Sequence, residues 1–139
     1  MPDIKLDLQA IQQMALFERM TKVAATDCLE TSKVAYFIVP RGAGKRLSGN
    51  PGLERLGKQL GKSVRFVEVR TDPEAFLRQL FWAYGVQQVS VEEGPEGLQG
   101  RVSVSPLTKG KAIGKGGENL NALRELARRH VGIVGIVLE

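Results

Sequence analysis

The chain repeats itself once, and that constrains its fold more than any other feature. At an offset of 66, Tyr36 aligns with Val102, Ile38 with Val104, Pro40 with Pro106, Gly44 with Gly110, Lys45 with Lys111 and Leu47 with Ile113. Past the following loop the offset becomes 67, so that Leu53 meets Leu120, Leu56 meets Leu123, Leu60 meets Ala127, Val64 meets Val131 and Phe66 meets Ile133. One residue has been lost inside the first loop. A duplicated module of about 70 residues follows, dividing the chain into domains 1–70 and 71–139.

Each copy reads as the same series of elements. In the first, Leu8, Ile11, Ala15, Met20 and Val23 recur at helical spacing, and strand-like runs follow over 26–30 and 33–39. A glycine-bearing helical pair and a strand over 63–69 complete it. The second copy opens at Asp72, a residue suited to cap a helix whose first position is Pro73. Phe76, Leu77, Leu80, Phe81 and Tyr84 form the apolar face of that helix, and Phe81, Trp82 and Tyr84 together are expected to serve core and module-interface packing. Strands over 87–92 and 99–105 flank the hairpin loop Glu93-Gly94-Pro95-Glu96-Gly97, helices lie around 110–113 and 117–129, and a strand over 132–138 closes the copy. The expected fold class is α+β, with the order helix-strand-strand-helix-helix-strand twice.

Between the paired helices of the second copy stands Ala112-Ile113-Gly114-Lys115-Gly116-Gly117-Glu118-Asn119-Leu120. Gly114, Gly116 and Gly117 leave main-chain N–H groups uncovered, and a helix beginning near Gly117 points its positive dipole end at a phosphate resting there. Lys115 adds a mobile positive charge, and Lys109 and Lys111 stand immediately before the loop. Arg124 and Arg128 are further contacts if their helix faces the same ligand.

The first copy carries Ser48-Gly49-Asn50-Pro51-Gly52 at the equivalent place, one residue shorter and with a proline that supplies no N–H. Its grip on phosphate should be poorer, although Ser48, Gly49 and Asn50 remain candidate contacts. Yet this copy is the more basic. Residues 1–70 hold 12 Lys or Arg against 7 Asp or Glu, whereas 71–139 hold 8 against 8. Arg41, Lys45, Arg46, Arg55, Lys58 and Lys62 gather within a short window, with Lys45 and Arg46 next to the loop.

Other function classes find little support. A composition 42% apolar and 25% charged is that of a globular chain, and no apolar stretch approaches the roughly 20 residues of a membrane helix. The amino terminus lacks a signal-peptide layout, so a cytoplasmic location is expected. Gly61-Lys62-Ser63 has Leu56 where a phosphate-loop NTPase requires glycine, and it precedes a strand. A single histidine and the single Cys28, read as a small core residue, make no metal cluster. No catalytic site and no cofactor are expected.

A helix-strand-strand-helix-helix-strand module with Ile-Gly-x-Gly-Gly between paired helices resembles a KH domain, whose GxxG loop clamps about four nucleotides of RNA backbone. With the final strand ending at Glu139, the arrangement fits the type II topology. Two such modules in tandem, the second with Lys-Ala-Ile-Gly-Lys-Gly-Gly-Glu-Asn-Leu, resemble the paired KH region of NusA and the short archaeal NusA-like proteins. The resemblance covers nearly the whole chain. It implies binding of single-stranded RNA in transcription elongation, termination or antitermination, with RNA polymerase or the transcription complex as a further partner and the protein a monomer. It also implies an aliphatic groove for bases, for which Ile113, Leu120 and Val104 are the candidates. Ribosome assembly or rRNA maturation is an alternative role, and a protein-binding adaptor built on KH folds is another.

Overall fold

Asp7 sets the start of the first helix in the computed structural model, which describes residues 7–139. Its carboxylate accepts the N–H groups of Gln9 and Ala10 at 3.0 and 3.3 Å, so α1 runs over Leu8–Thr21. The helix stops at Lys22, which enters the left-handed region at φ 65° and returns its N–H to the Glu18 carbonyl. The chain then forms β1 (Asp27–Glu30), antiparallel to β2 (Val34–Val39), and passes through α2 (Gly44–Leu47) and α3 (Pro51–Leu60) to β3 (Ser63–Glu68), parallel to β2. Central strand β2 is fully buried from Ala35 to Val39, consistent with its run of β-branched and aromatic residues.

The buried face of α1 differs from the expected one. Ala10, Met14, Phe17 and Met20 pack into the core, whereas Leu8 is 73% exposed and Ile11 and Ala15 are also at the surface. Apolar residues occur on more than one side of this helix, so spacing alone leaves its rotation open. Two tertiary contacts decide it. Phe17 stacks on Phe37 of β2 with ring centroids 4.4 Å apart, and Gly52 of α3 lies so close to α1 that a Cβ there would fall 2.1 Å from the Met20 carbonyl oxygen. Val23, beyond the helix end, is buried by itself.

A second compact unit begins at Val69. As expected, Asp72 caps α4 (Pro73–Phe81), accepting the Ala75 N–H at 3.0 Å, with proline in the first turn. A 3-10 turn over Trp82–Tyr84 leads to β4 (Val86–Gly94), which pairs antiparallel with β5 (Gly97–Val104). The hairpin is tighter than the five residues expected, since Gly94 pairs with Gly97 and leaves only Pro95 and Glu96 between. Next come α5 (Lys109–Ile113), a 3-10 turn over Lys115–Gly117, α6 (Glu118–Val131) and β6 (Ile133–Leu138), parallel to β5. Phe81 and Tyr84 are core residues, but Trp82 is 75% exposed. Of the packing expected for it, a place in the core of its own unit is overturned, because it stands one position round from the buried stripe of Phe76, Leu77, Leu80, Phe81 and Tyr84.

The architecture is thus α+β, with two three-stranded sheets ordered β1-β2-β3 and β4-β5-β6. One part of the repeat alignment needs correction. α3 ends at a left-handed Gly61 and α6 at a left-handed Gly132, so the helix ends are offset by 71 rather than 67. Val131 is the last helical residue and does not match the strand residue Val64. α6 has 14 residues against 10 in α3; the four extra make one turn, which restores the same buried face and therefore hides the insertion from a periodicity argument. Cys28 is buried as expected, and loss of hydration, followed by the charges of Glu30 and Asp27, pushes its thiol up to about 12. Among the described residues no helix is long and apolar enough to cross a membrane.

Candidate nucleic-acid interface

The loop of the second unit is built by glycines with different tasks. Gly114 closes α5 at φ 76° and ψ 173°, where a Cβ would sit 2.8 Å from Asn119 Cβ and 2.9 Å from Asn119 N. Only glycine allows α6 to start this close to the end of α5. Gly116 and Gly117 also have positive φ, 63° and 78°, but face outward: a Cβ at Gly116 would meet nothing within 4 Å, and one at Gly117 only the Asn121 amide at 3.9 Å. The outer surface of the loop is therefore bare backbone, with Lys115 exposed beside it. No side chain caps the start of α6, which leaves its first turn without the carboxylate or hydroxyl that ordinarily accepts those N–H groups.

Asn119 fixes this geometry from beneath. Buried to 4% exposure, it donates from Nδ2 to the Ala112 carbonyl at 2.8 Å and accepts the Tyr84 hydroxyl at 3.4 Å. It ties α5, α6 and the turn after α4 together without using any N–H of the loop's outer face. Sequence reasoning did not single it out. A buried amide two positions after the N-cap is a signal only when set beside Asn50 of the first copy, which stands at the cap itself.

Near the loop, Lys111 is exposed, Lys109 and Ile113 are half-buried, and Leu120 and Val104 are core residues at 8% and 3% exposure. Of the three apolar groove candidates, Ile113 presents the most surface. Arg124 reaches the β6 backbone instead, donating to the Ile136 carbonyl at 3.0 Å and to Asn121 Oδ1 at 3.4 Å. Arg128 and Arg129 converge on Glu125 at 2.8 and 2.9 Å; hydrogen bonding from Arg128, then from Arg129, holds the Glu125 carboxyl down at about 2 against partial burial.

The first loop is closed from within. Asn50 Oδ1 accepts the Gly52 N–H at 2.8 Å, and Asn50 Nδ2 donates to the carbonyls of Thr21 and Arg46 at 2.9 and 3.1 Å. Ahead of α2, the N–H groups of Gly42 and Gly44 both donate to Glu68 Oε2, at 2.8 and 3.0 Å. Arg46 donates to the Lys22 carbonyl at 2.8 Å, fastening the end of α1. Ser48, Gly49 and Lys45 remain exposed, and a Cβ on Gly49 would meet nothing within 4 Å. The N–H groups of Gly42, Gly44, Ser48, Asn50 and Gly52 thus already have an acceptor from the chain itself. Among the described residues no group of three or more His, Cys, Asp or Glu is placed to hold a metal ion.

No protein-family model matches the chain. Curated relatives do. The probable transcription termination protein NusA of Halobacterium salinarum is 33% identical over 137 residues, covering 97% of this chain and 98% of its own. Its namesake from Thermoplasma acidophilum is 24% identical over 138 residues, covering 98% and 96%, and that from Methanocaldococcus jannaschii is 24% identical, covering 98% and 75%. Among solved structures, the crystal structure of APE1850 superposes with a TM-score of 0.70 at 28% identity, covering 96% of this chain and all of the other. With near full-length coverage at 33% identity, the chain belongs to the archaeal family of NusA-like probable transcription termination proteins.

Proposed function

We propose that the protein is a regulator of transcription that binds single-stranded RNA through two tandem type II KH modules, 1–70 and 71–139, acting as a monomer. The observation that carries this reading is the bare glycine backbone at Gly116 and Gly117, held in place by the packed Gly114, in front of an α6 that no side chain caps. A phosphodiester there would accept the main-chain N–H groups of Lys115 and Gly116, those of Gly114 and Gly117 being held by the Gly110 and Gly114 carbonyls, and Lys115 would add its charge. Ile113 would border the groove in which a base lies, with Lys109 and Lys111 drawing in the next phosphates. The names of the archaeal relatives support transcription termination as the process served, and RNA polymerase or the transcription complex is proposed as a further partner.

The test is the double substitution Lys115→Asp with Gly116→Asp. Aspartate tolerates the left-handed backbone of Gly116, and nothing stands in the way of its side chain, so circular dichroism should be unchanged. Binding to short single-stranded RNA should disappear. Unchanged binding would refute the loop as the phosphate clamp.

A further inference from the structure

The first unit poses a question that its loop does not answer: it carries the chain's entire excess of positive charge, yet Asn50 already accepts the Gly52 N–H of its loop and, ahead of α2, Glu68 accepts those of Gly42 and Gly44. We propose that this unit holds the RNA phosphate backbone in a groove at the opposite end of α3, formed by Lys33, Lys58, Lys62 and Arg65. The proposal rests on the RNA-binding reading above and extends it to a second contact surface.

The groove is open, about 740 Å³ in volume, and runs between the last turns of α3 and the starts of β2 and β3. α3 spans ten residues, so roughly 15 Å of helix separates the groove from the loop. Its four cations come from different elements. Lys33 precedes β2, Lys58 lies in the last turn of α3, Lys62 follows the helix, and Arg65 belongs to β3. The carbonyl end of α3 is worth about half a negative charge and is matched by Lys58 alone; Lys33 is not needed for that purpose.

Opposing charge is limited. Glu54 lies 3.7 Å from Lys58, but both side chains are more than three-quarters exposed, and such a pair contributes too little to resist an incoming phosphate. Glu30 is different: it meets Lys62 at 2.6 Å, largely buried, and anchors that lysine at the groove wall. Gly61 faces open space, Ser32 and Ser63 supply small polar groups, and no large exposed apolar residue occurs along the lining. A protein partner would call for an apolar centre within such a surface. Cations with small polar residues suit a sugar-phosphate backbone.

The test uses the full chain and fluorescence anisotropy of labelled single-stranded RNAs of about 6 and about 20 nucleotides, titrated with salt; the shorter is little more than one KH footprint. Lys33→Glu with Lys58→Glu alters two exposed residues and should lower the melting temperature by only a few degrees, through the charge placed at the carbonyl end of α3. For the long RNA it should lower affinity about tenfold and flatten the salt slope by about 1.4, at about 0.7 per lost phosphate contact. Affinity for the short RNA should not change. The milder Lys33→Gln with Lys58→Gln should shift both quantities the same way, which covers any misfolding of the charge reversal. Long-RNA binding with an unaltered slope would overturn the groove while leaving the loop clamp standing. Loss of polyglutamate binding in the variant, with RNA binding untouched, would assign the groove to an acidic protein and overturn it equally. An unmodified chain that binds no RNA would overturn the functional reading, and this inference with it.

Discussion

Gly114 and Gly116 are two residues apart in one loop, both with positive φ, yet alanine should affect them very differently. At Gly116, φ 63° and ψ 19° with an empty surround, the cost is that of a left-handed alanine, about 1 kcal/mol. At Gly114, φ 76° and ψ 173° fall in a region reserved for glycine, which alone costs about 1–3 kcal/mol. To this is added a Cβ 2.9 Å from the backbone nitrogen of Asn119, which the helix must move to relieve. A total near 4 kcal/mol is expected. In a unit of about 70 residues, 1 kcal/mol corresponds to about 4–8 °C. Gly116→Ala should therefore lower the melting of the second unit by several degrees, whereas Gly114→Ala should lower it by about 20 °C or prevent folding. Urea titration followed by circular dichroism reads both. Equal midpoints for the two variants would refute the division between a packing glycine and a ligand-facing one.

Three further outcomes are expected. Asn50→Ala removes an N-cap and two tethers to Thr21 and Arg46; it should destabilise the first unit by about 1–2 kcal/mol in urea, and no loss would contradict the closed-loop description. Glu125, with its carboxyl held at about 2 by Arg128 and Arg129, is charged in the folded state well below the pH at which it is charged unfolded. Its stabilisation is thus complete above about pH 4.5 and fades as pH falls toward 2. Glu125→Gln should flatten the acid limb of the melting curve in that window, and a change confined to neutral pH would contradict the sign. Cys28, buried with its thiol near 12, should resist a thiol reagent at pH 8 in the native protein and react at once in denaturant.

How far the sequence revealed the structure depended on whether a residue's neighbours were local. Asp72 announced its helix because a cap is satisfied three residues away, by the Ala75 N–H. The order of elements was legible for a similar reason, since β2 and β6 are nearly continuous apolar runs. The rotation of α1 was not, because Phe37 and Gly52, which orient it, lie twenty and more residues downstream. The extra turn of α6 was hidden by the helical period itself. At the loops, the shortened Ser48-Gly49-Asn50-Pro51-Gly52 could be recognised as the poorer anion site from its length and proline. What closes it could not be read in advance, since Asn50 reaches the Thr21 carbonyl across 29 residues, and ahead of α2 Glu68 reaches Gly42 and Gly44 across 26 and 24. Asn119 was likewise invisible until its partners, Ala112 and Tyr84, were seen to surround it.

The central claim is that the second loop, rather than the first, offers its backbone N–H groups to RNA. Amide chemical-shift mapping with a single-stranded RNA of about 6 nucleotides tests it at the groups concerned. The account predicts the largest shifts at Lys115 and Gly116, whose neighbours Gly114 and Gly117 are bonded to the Gly110 and Gly114 carbonyls, with the amides of Gly42, Gly44 and Gly52 unmoved because Glu68 and Asn50 already hold them. Shifts confined to the first loop, with 114–120 silent, would contradict it.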